Sequence, residues 1–116
     1  MNNLTLGKTG EKAALDFLIS SKFIILTKNY RWRWGEIDIV TKKDKKLYFI
    51  EVKSAYTNAR VKPIEQITKS KINHMYRSAQ AFLLKNNYKD YKLCFSVITV
   101  LLEKNLKIDA VKIYDI

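Results

Sequence analysis

Three charged residues, Asp38, Glu51 and Lys53, lie inside two short runs of otherwise apolar residues. Asp38 ends the motif Gly-Glu-Ile-Asp at residues 35–38, and the other two belong to Glu-Val-Lys at residues 51–53. A charged side chain inside a buried strand is unfavourable unless it is paired, protonated or bound to a metal. Two carboxylates and one amine suit hydrolysis of a phosphodiester bond with the help of a divalent cation.

Spacing along the two runs predicts that these residues share one face of a β-hairpin. The polar segment 41–46 separates the runs, and a turn centred on residues 44 and 45 places Asp38 opposite Glu51. Side chains two positions apart on a strand share a face, so Glu36 and Lys53 are expected to join them. A slip of one residue would reverse the faces, and the turn lacks the Asn-Gly or Asp-Gly pair that would fix the register.

Sequence periodicity predicts a mixed α/β fold. Helical spacing covers residues 7–21 and runs from Pro63, as the first helical residue, to about Lys85. Apolar runs predict strands at residues 23–29, 35–40, 47–53, 93–102 and 106–114. The order helix, three strands, helix, two strands favours a mixed sheet with helices packed on it, and we expect residues 1–116 to form a single domain.

Each predicted helix places one charged residue on its apolar face. Glu11 lies on the same face as three apolar residues, and the nearby Gly7 and Gly10 would allow close approach of the helix backbone. Lys71 lies four residues before Met75 in the second helix. Either side chain could instead lie at the edge of its face, Glu11 near the helix N-terminus and Lys71 with its amine in solvent.

The clustered carboxylates predict a site for Mg²⁺ or Mn²⁺, because such cations prefer oxygen ligands. The expected metal ligands are Asp38, Glu51, the backbone carbonyl of Val52, Glu11 and Glu36. Lys53 would orient the attacking water or stabilise the transition state. An internal salt-bridge cluster is the alternative, but three carboxylates against one amine favour a bound cation.

Charge and cysteine content limit the class of partner and the compartment. The chain has 22 Lys and Arg against 11 Asp and Glu, a net charge of +11. This excess favours nucleic acid as a partner, although a Lys- and Asn-rich composition can also reflect nucleotide bias in the genome. One cysteine excludes an intramolecular disulfide. Neither a signal peptide nor a membrane-spanning run is visible, so we expect a cytoplasmic protein without a membrane partner.

Cationic residues near the motifs are candidates for contacts to nucleic acid. Aromatic and cationic residues alternate in Tyr-Arg-Trp-Arg-Trp at residues 30–34, a pattern that suits base stacking and phosphate binding. The tryptophans could equally pack on the fold. We expect Arg31 and Arg33 to contact nucleic acid, together with Lys69 and Lys71 of the second helix.

Over most of its length the chain resembles a known family. The Asp…Glu-x-Lys arrangement across a hairpin resembles the PD-(D/E)xK nuclease superfamily, with Ile37 where the name has proline. The segments that more closely resemble the bacterial YraN family are Gly7-x-x-Gly10-Glu11, Asn29-Tyr30-Arg31, Gly35-Glu36-Ile37-Asp38 and Phe49-Ile50-Glu51-Val52-Lys53. This resemblance implies a restriction endonuclease-like αβββαβ core. It also implies Asp38, Glu51 and Lys53 as catalytic residues, with Glu11 as a further carboxylate.

The residues and the resemblance together predict a metal-dependent endonuclease that hydrolyses phosphodiester bonds in DNA, with branched or structured DNA among the candidate substrates. A non-catalytic nucleic-acid-binding module that retains the nuclease fold is the alternative, and a basic protein of a ribonucleoprotein assembly is a third reading. By analogy we expect a homodimer, because cutting both strands of a duplex requires two sites.

Overall fold

The structure, a computed structural model, describes residues 5–33, 35–60 and 62–116 and contains both helices and strands. The helices are α1 (Leu6–Ser20) and α2 (Lys69–Lys85). The strands are β1 (Ile24–Trp32), β2 (Gly35–Lys43), β3 (Lys46–Tyr56), β4 (Lys92–Leu102) and β5 (Ile108–Asp115). This order confirms the predicted α/β class and αβββαβ core, with β5 added after it. In these ranges no helix is long and apolar enough to cross a membrane.

The five strands form one mixed sheet in the order β1-β2-β3-β4-β5. Neighbouring strands are antiparallel except β3 and β4, which are parallel because the connection through α2 returns the chain to the same end of the sheet. Ala14 and Leu18 of α1 pack on one face, in a cluster that includes Ile50. Ala79 and Phe82 of α2 pack on the other face with Phe49 and neighbouring residues. The predicted sheet flanked by helices is therefore confirmed.

The β2–β3 hairpin has the predicted register. Its turn is Asp44–Lys45, where φ is 50° and 62°, so both residues are left-handed. Strand pairing continues from this turn to Ile39 opposite Ile50. Asp38 and Glu51 are the next residues of the two strands, and they therefore lie at the open end of the hairpin.

Two predicted element starts are wrong, and local backbone geometry explains both. Pro63 begins a separate 3-10 turn, Pro63–Gln66, instead of α2. Thr68 is extended and its side chain accepts a hydrogen bond from the Lys71 backbone N–H, so it caps a helix that begins at Lys69. The last strand begins at Ile108 because Leu106, with φ of 68°, is left-handed and cannot continue a strand.

Gly10 sets how closely α1 approaches the sheet. A Cβ at Gly10 would overlap the Ser54 hydroxyl and lie 2.8 Å from Ser54 Cβ, which is closer than side-chain atoms pack. Gly7, by contrast, has no atom of the described residues within 4 Å of an added Cβ, so the predicted close approach is confirmed at Gly10 and is not found at Gly7 in this part of the chain. Glu11 follows Gly10 directly, and the tight contact therefore fixes its position above β3.

We expect Gly10→Ala to lower the free energy of unfolding by about 1–3 kcal/mol, because the added methyl group overpacks the contact with Ser54. Gly7→Ala is the matched control and should change stability by less than about 1 kcal/mol, in the stabilising direction, through helix propensity. Urea unfolding of both variants measures this difference. The double variant Gly10→Ala/Ser54→Gly should recover most of the loss, and equal losses at the two glycines would contradict the packing argument.

Candidate metal centre

Asp38 lies where β2 stops pairing with β3. Its Oδ2 accepts a hydrogen bond of 2.8 Å from the backbone N–H of Val52. The carboxylate thus replaces a backbone carbonyl as the acceptor at the point where the hairpin opens, since strand pairing ends at Ile39 and Ile50. This bond fixes the Asp38 carboxyl group against the backbone of β3, next to Glu51.

Glu51 is the most buried carboxylate of this region, with 5% of its surface exposed. Lys71 Nζ, from the first turn of α2, lies 2.8 Å from Glu51 Oε2. This distance is that of a close ion pair, so Lys71 compensates the charge of the buried Glu51 carboxylate.

The Asp38 carboxyl group has an altered acidity. Burial, followed by the hydrogen bond and negative charge of the neighbouring Glu51, raises the pKa of Asp38 to about 7. The Val52 N–H and the Lys71 amine act in the opposite direction and do not cancel the rise. Two carboxylates held together in a partly dry site cannot both ionise easily, so the pair requires either a shared proton or a cation.

A cleft of about 440 Å³ opens beside this pair. Asp38, Glu51 and Val52 line it from the sheet, and Glu11 lines it from α1. Four of the predicted metal ligands therefore line one cleft. The other lining residues, which sequence reasoning did not assign to the site, are Thr5, Leu6, Gly7, Lys8 and Ser54.

Glu36 lies elsewhere, although alternation predicted that it shares a face with Asp38. Ile37 packs in the cluster on the α2 side, while Ile39 packs in the cluster on the α1 side. The strand therefore twists around Asp38, and simple alternation fails there. Glu36 instead lies opposite Arg31 in β1, with 3.5 Å between Arg31 Nε and Glu36 Oε2.

Lys53 is two residues beyond Glu51 on β3 and is half-buried. It is absent from the residues that line the cleft. In the described part of the chain, no ion pair joins Lys53 to Asp38 or Glu51; the amine that reaches Glu51 belongs to Lys71. The sequence signal for that contact is the position of Lys71 on the apolar face of its helix.

Comparison with known proteins places the chain among bacterial relatives. Residues 10–112 match the family described as "Uncharacterised protein family UPF0102". The chain belongs to the UPF0102 family. A UPF0102 protein of Clostridioides difficile strain 630 is 39% identical over 107 residues, which cover 91% of this chain and 94% of that protein. The YraN-like membership predicted from the motifs is thereby confirmed.

Two further UPF0102 relatives show similar coverage. A protein of Clostridium botulinum strain Kyoto is 39% identical over 101 residues, covering 86% of this chain and 82% of the relative. One from Prosthecochloris aestuarii is 35% identical over 96 residues, covering 83% of this chain and 76% of the relative. The family match, over residues 10–112, includes both charged motifs of the hairpin.

The residues expected to contact nucleic acid lie in different settings in this UPF0102 protein. Arg33 and Lys69 are exposed. Arg31 is exposed but paired with Glu36, and Lys71 is engaged with Glu51. Trp34, the last residue of the alternating segment, lies outside the described residues.

The donor set fits a hard divalent cation bound mainly through water. Within residues 5–33, 35–60 and 62–116, no three His, Cys, Asp or Glu side chains lie close enough together to hold a metal. Mg²⁺ is usually bound by one or two carboxylates, with waters and substrate phosphate as further ligands. The Asp38–Glu51 pair supplies two carboxylates, which is the number that such a site uses.

Proposed function

We propose that this protein is a metal-dependent nuclease that hydrolyses phosphodiester bonds in DNA. The observation that carries the proposal is the half-buried carboxyl group of Asp38 beside the buried carboxylate of Glu51, at a cleft lined also by Glu11. Membership of a family that resembles PD-(D/E)xK nucleases supports it. Branched or structured DNA is the substrate class that we would test first.

Asp38 and Glu51 would hold Mg²⁺ or Mn²⁺, with the backbone carbonyl of Val52 and Glu11 as further candidate ligands. When bound, such an ion acidifies a water molecule and offsets charge on the phosphate. The Val52 N–H orients the Asp38 carboxylate, and this orientation needs no metal to form. Glu36 is left out of the proposed ligands because it is paired with Arg31.

The lysines and arginines would divide the remaining tasks. Lys53 follows Glu51 by two residues and forms no ion pair with the carboxylates in the described chain, so its amine is available to a phosphate or an attacking water. Lys71 would position Glu51 through their ion pair. Arg33 and Lys69 are exposed and could contact the DNA backbone directly.

Overall charge supports DNA as the partner. The net charge of +11 arises although several carboxylates are gathered at the cleft, so the remaining surface is strongly basic and favours binding of a polyanion through counterion release. A homodimer would supply the two sites that cutting both strands requires. Analytical ultracentrifugation with and without DNA would measure this.

The proposal predicts cleavage that requires both a divalent cation and the carboxylate pair. Linear, single-stranded and branched DNAs would be incubated with the protein in Mg²⁺, in Mn²⁺ and in a chelator. We expect cleavage of at least one substrate with metal, and its loss in Asp38→Ala and Lys53→Ala. Asp109→Ala is the matched control, because Asp109 is an exposed carboxylate on β5.

Two outcomes would overturn the proposal. Cleavage at equal rates in the wild type and in Asp38→Ala would show that the activity belongs to a contaminant. Salt-sensitive DNA binding without cleavage in any substrate or metal would instead support a non-catalytic nucleic-acid-binding module with a nuclease fold.

A further inference from the structure

A second charged cleft lies at the opposite end of the sheet from the carboxylate pair. It has a volume of about 310 Å³ and is formed by the β2–β3 turn, the end of α1 and the segment before β4. We call it the lysine cleft because four lysines give it its charge: Lys22, Lys42, Lys43 and Lys45. Tyr91 forms one wall. Asp44 carries the only negative charge among the described residues that line it.

Two of these lysines occupy backbone positions that favour glycine. Lys22 has φ of 70° and follows the C-cap of α1, where the N–H of Phe23 donates to the Leu18 carbonyl at 2.9 Å. Lys45 has φ of 62° in the two-residue hairpin turn. Both are left-handed positions at which glycine is the more stable residue. Two strained lysines that converge on one cleft indicate a role other than stability.

Other contacts hold the lysine cleft in place without neutralising it. Lys43 Nζ donates a 2.7 Å hydrogen bond to the Ser21 carbonyl, which fastens the hairpin turn to the end of α1. Lys45 Nζ lies 5.0 Å from the centre of the Tyr91 ring. Throughout the described ranges, no carboxylate forms an ion pair with Lys22, Lys42 or Lys45. Within the described residues, these three positive charges are therefore not compensated by ion pairs.

The lysine cleft is too far from the carboxylates to contact the same phosphate. Lys43 follows Asp38 by five residues along β2, which corresponds to about 17 Å at about 3.4 Å per strand residue. The phosphates of one DNA strand are about 3.4 Å apart along the helix axis. A backbone bound at both places would therefore span several nucleotides.

We propose that the lysine cleft binds the phosphate backbone of nucleic acid several nucleotides away from the carboxylate pair. The inference rests on the proposed function for the identity of the polyanion as nucleic acid. Nucleic acid is favoured over an anionic membrane because the lysines enclose a cleft, into which a strand of phosphates fits, rather than bordering a broad apolar surface. Lys22, Lys42 and Lys45 make the phosphate contacts, while Lys43 positions the turn.

The test uses Lys22→Gly/Lys45→Gly, because glycine removes two charges and relieves two strained backbones. We expect its melting temperature to rise by about 2–5 °C. Its affinity for labelled duplex DNA, measured by fluorescence anisotropy in a chelator, should fall about 10-fold. The slope of log affinity against log salt concentration, measured between about 50 and 200 mM, should decrease by about two, which corresponds to two fewer released counterions. A merely structural role for these lysines would not combine higher stability with weaker binding.

Lys104→Gly/Lys107→Gly is the matched control, since it removes two exposed lysines near the β4–β5 turn at the other end of the sheet. We expect a loss of affinity no more than about 2-fold there. Equal loss of affinity in both double variants, or no loss in either, would overturn the proposal.

Binding to anionic vesicles is measured separately. A loss of vesicle binding with unchanged DNA binding would assign the cleft to a membrane and would also overturn the proposal. Because DNA binding is measured without metal, a failure of the lysine-cleft proposal would not change the result of the cleavage assay that tests the carboxylate pair.

Discussion

Replacing Asp38 with asparagine is expected to stabilise the metal-free protein above about pH 7 and to remove its metal-dependent cleavage. Asparagine keeps an oxygen that can accept the Val52 N–H, and its amide group can donate to Glu51. It cannot place a second negative charge beside Glu51. A metal would lose one of its two carboxylate ligands, so we expect cleavage to fall about 1,000-fold or more.

The gain in stability follows from the acidity of Asp38. The folded protein keeps a proton on this carboxyl group up to its pKa of about 7, whereas the ordinary value is 3.8. Between about pH 4 and pH 7 the folded state binds more protons than the unfolded chain, so the free energy of unfolding decreases as the pH rises through this window. The upper limit of this loss is about 4 kcal/mol, and we expect about 1–3 kcal/mol because the site retains some solvent.

Urea unfolding at several pH values in a chelator would measure the effect. The wild type should lose stability from about pH 4 to about pH 7, and Asp38→Asn should lack this decrease. Excess Mg²⁺ or Mn²⁺ should restore stability to the wild type above about pH 7, because a cation that binds the folded state alone stabilises it. A variant less stable than the wild type at every pH, with or without metal, would contradict the account of a repulsive carboxylate pair.

The hairpin could be predicted from sequence because its signals are local and agree with one another. The polar segment 41–46 between two apolar runs located the turn, although neither Asp44 nor Lys45 is the glycine that such a turn favours. Once the turn is fixed, the register follows, and with it the placement of Asp38 near Glu51. Glu11 lines the same cleft because Gly10 permits close packing of α1 on the sheet, and this requirement is visible in the sequence as a glycine on the inward face of the helix.

Other features depend on tertiary context that a single sequence does not specify. Pro63 and Thr68 are both good helix-start residues, and only the path of the chain around the sheet decides that the helix begins after Thr68. The position of Glu36 depends on the twist of β2 around Asp38, which alternation ignores. The contact of Lys71 with Glu51 requires knowing how α2 crosses β3.

That contact separates the tasks of the two lysines near the site. Lys71 compensates a carboxylate that is almost wholly buried, whereas Lys53 forms no ion pair with the carboxylates in the described chain. Removing one partner of a buried ion pair leaves an uncompensated charge, which is strongly destabilising. Removing an unpaired, half-buried amine has a small effect on stability. Stability and activity should therefore respond in opposite ways to the two substitutions.

We expect Lys71→Met to lower the free energy of unfolding by about 2–3 kcal/mol in a chelator, somewhat below the value for a fully buried pair because the lysine side chain is 30% exposed. Lys53→Met is the matched control and should change stability by less than about 1 kcal/mol while lowering cleavage about 100-fold or more. Methionine retains most of the apolar stem in each case, so the comparison isolates the charge.

Two measurements make the assignment specific. Glu51→Gln/Lys71→Met should recover most of the stability lost in Lys71→Met, because both charges of the pair are then absent and a double-mutant cycle reports their coupling. Excess Mn²⁺ should raise the melting temperature of Lys71→Met more than that of the wild type, since the cation would replace the missing positive charge beside Glu51. The contrary result is that Lys53→Met is the more destabilising substitution and that Mn²⁺ gives Lys71→Met no added protection. In that case the amine that balances Glu51 is Lys53, and the catalytic task proposed for Lys53 must belong to another cation.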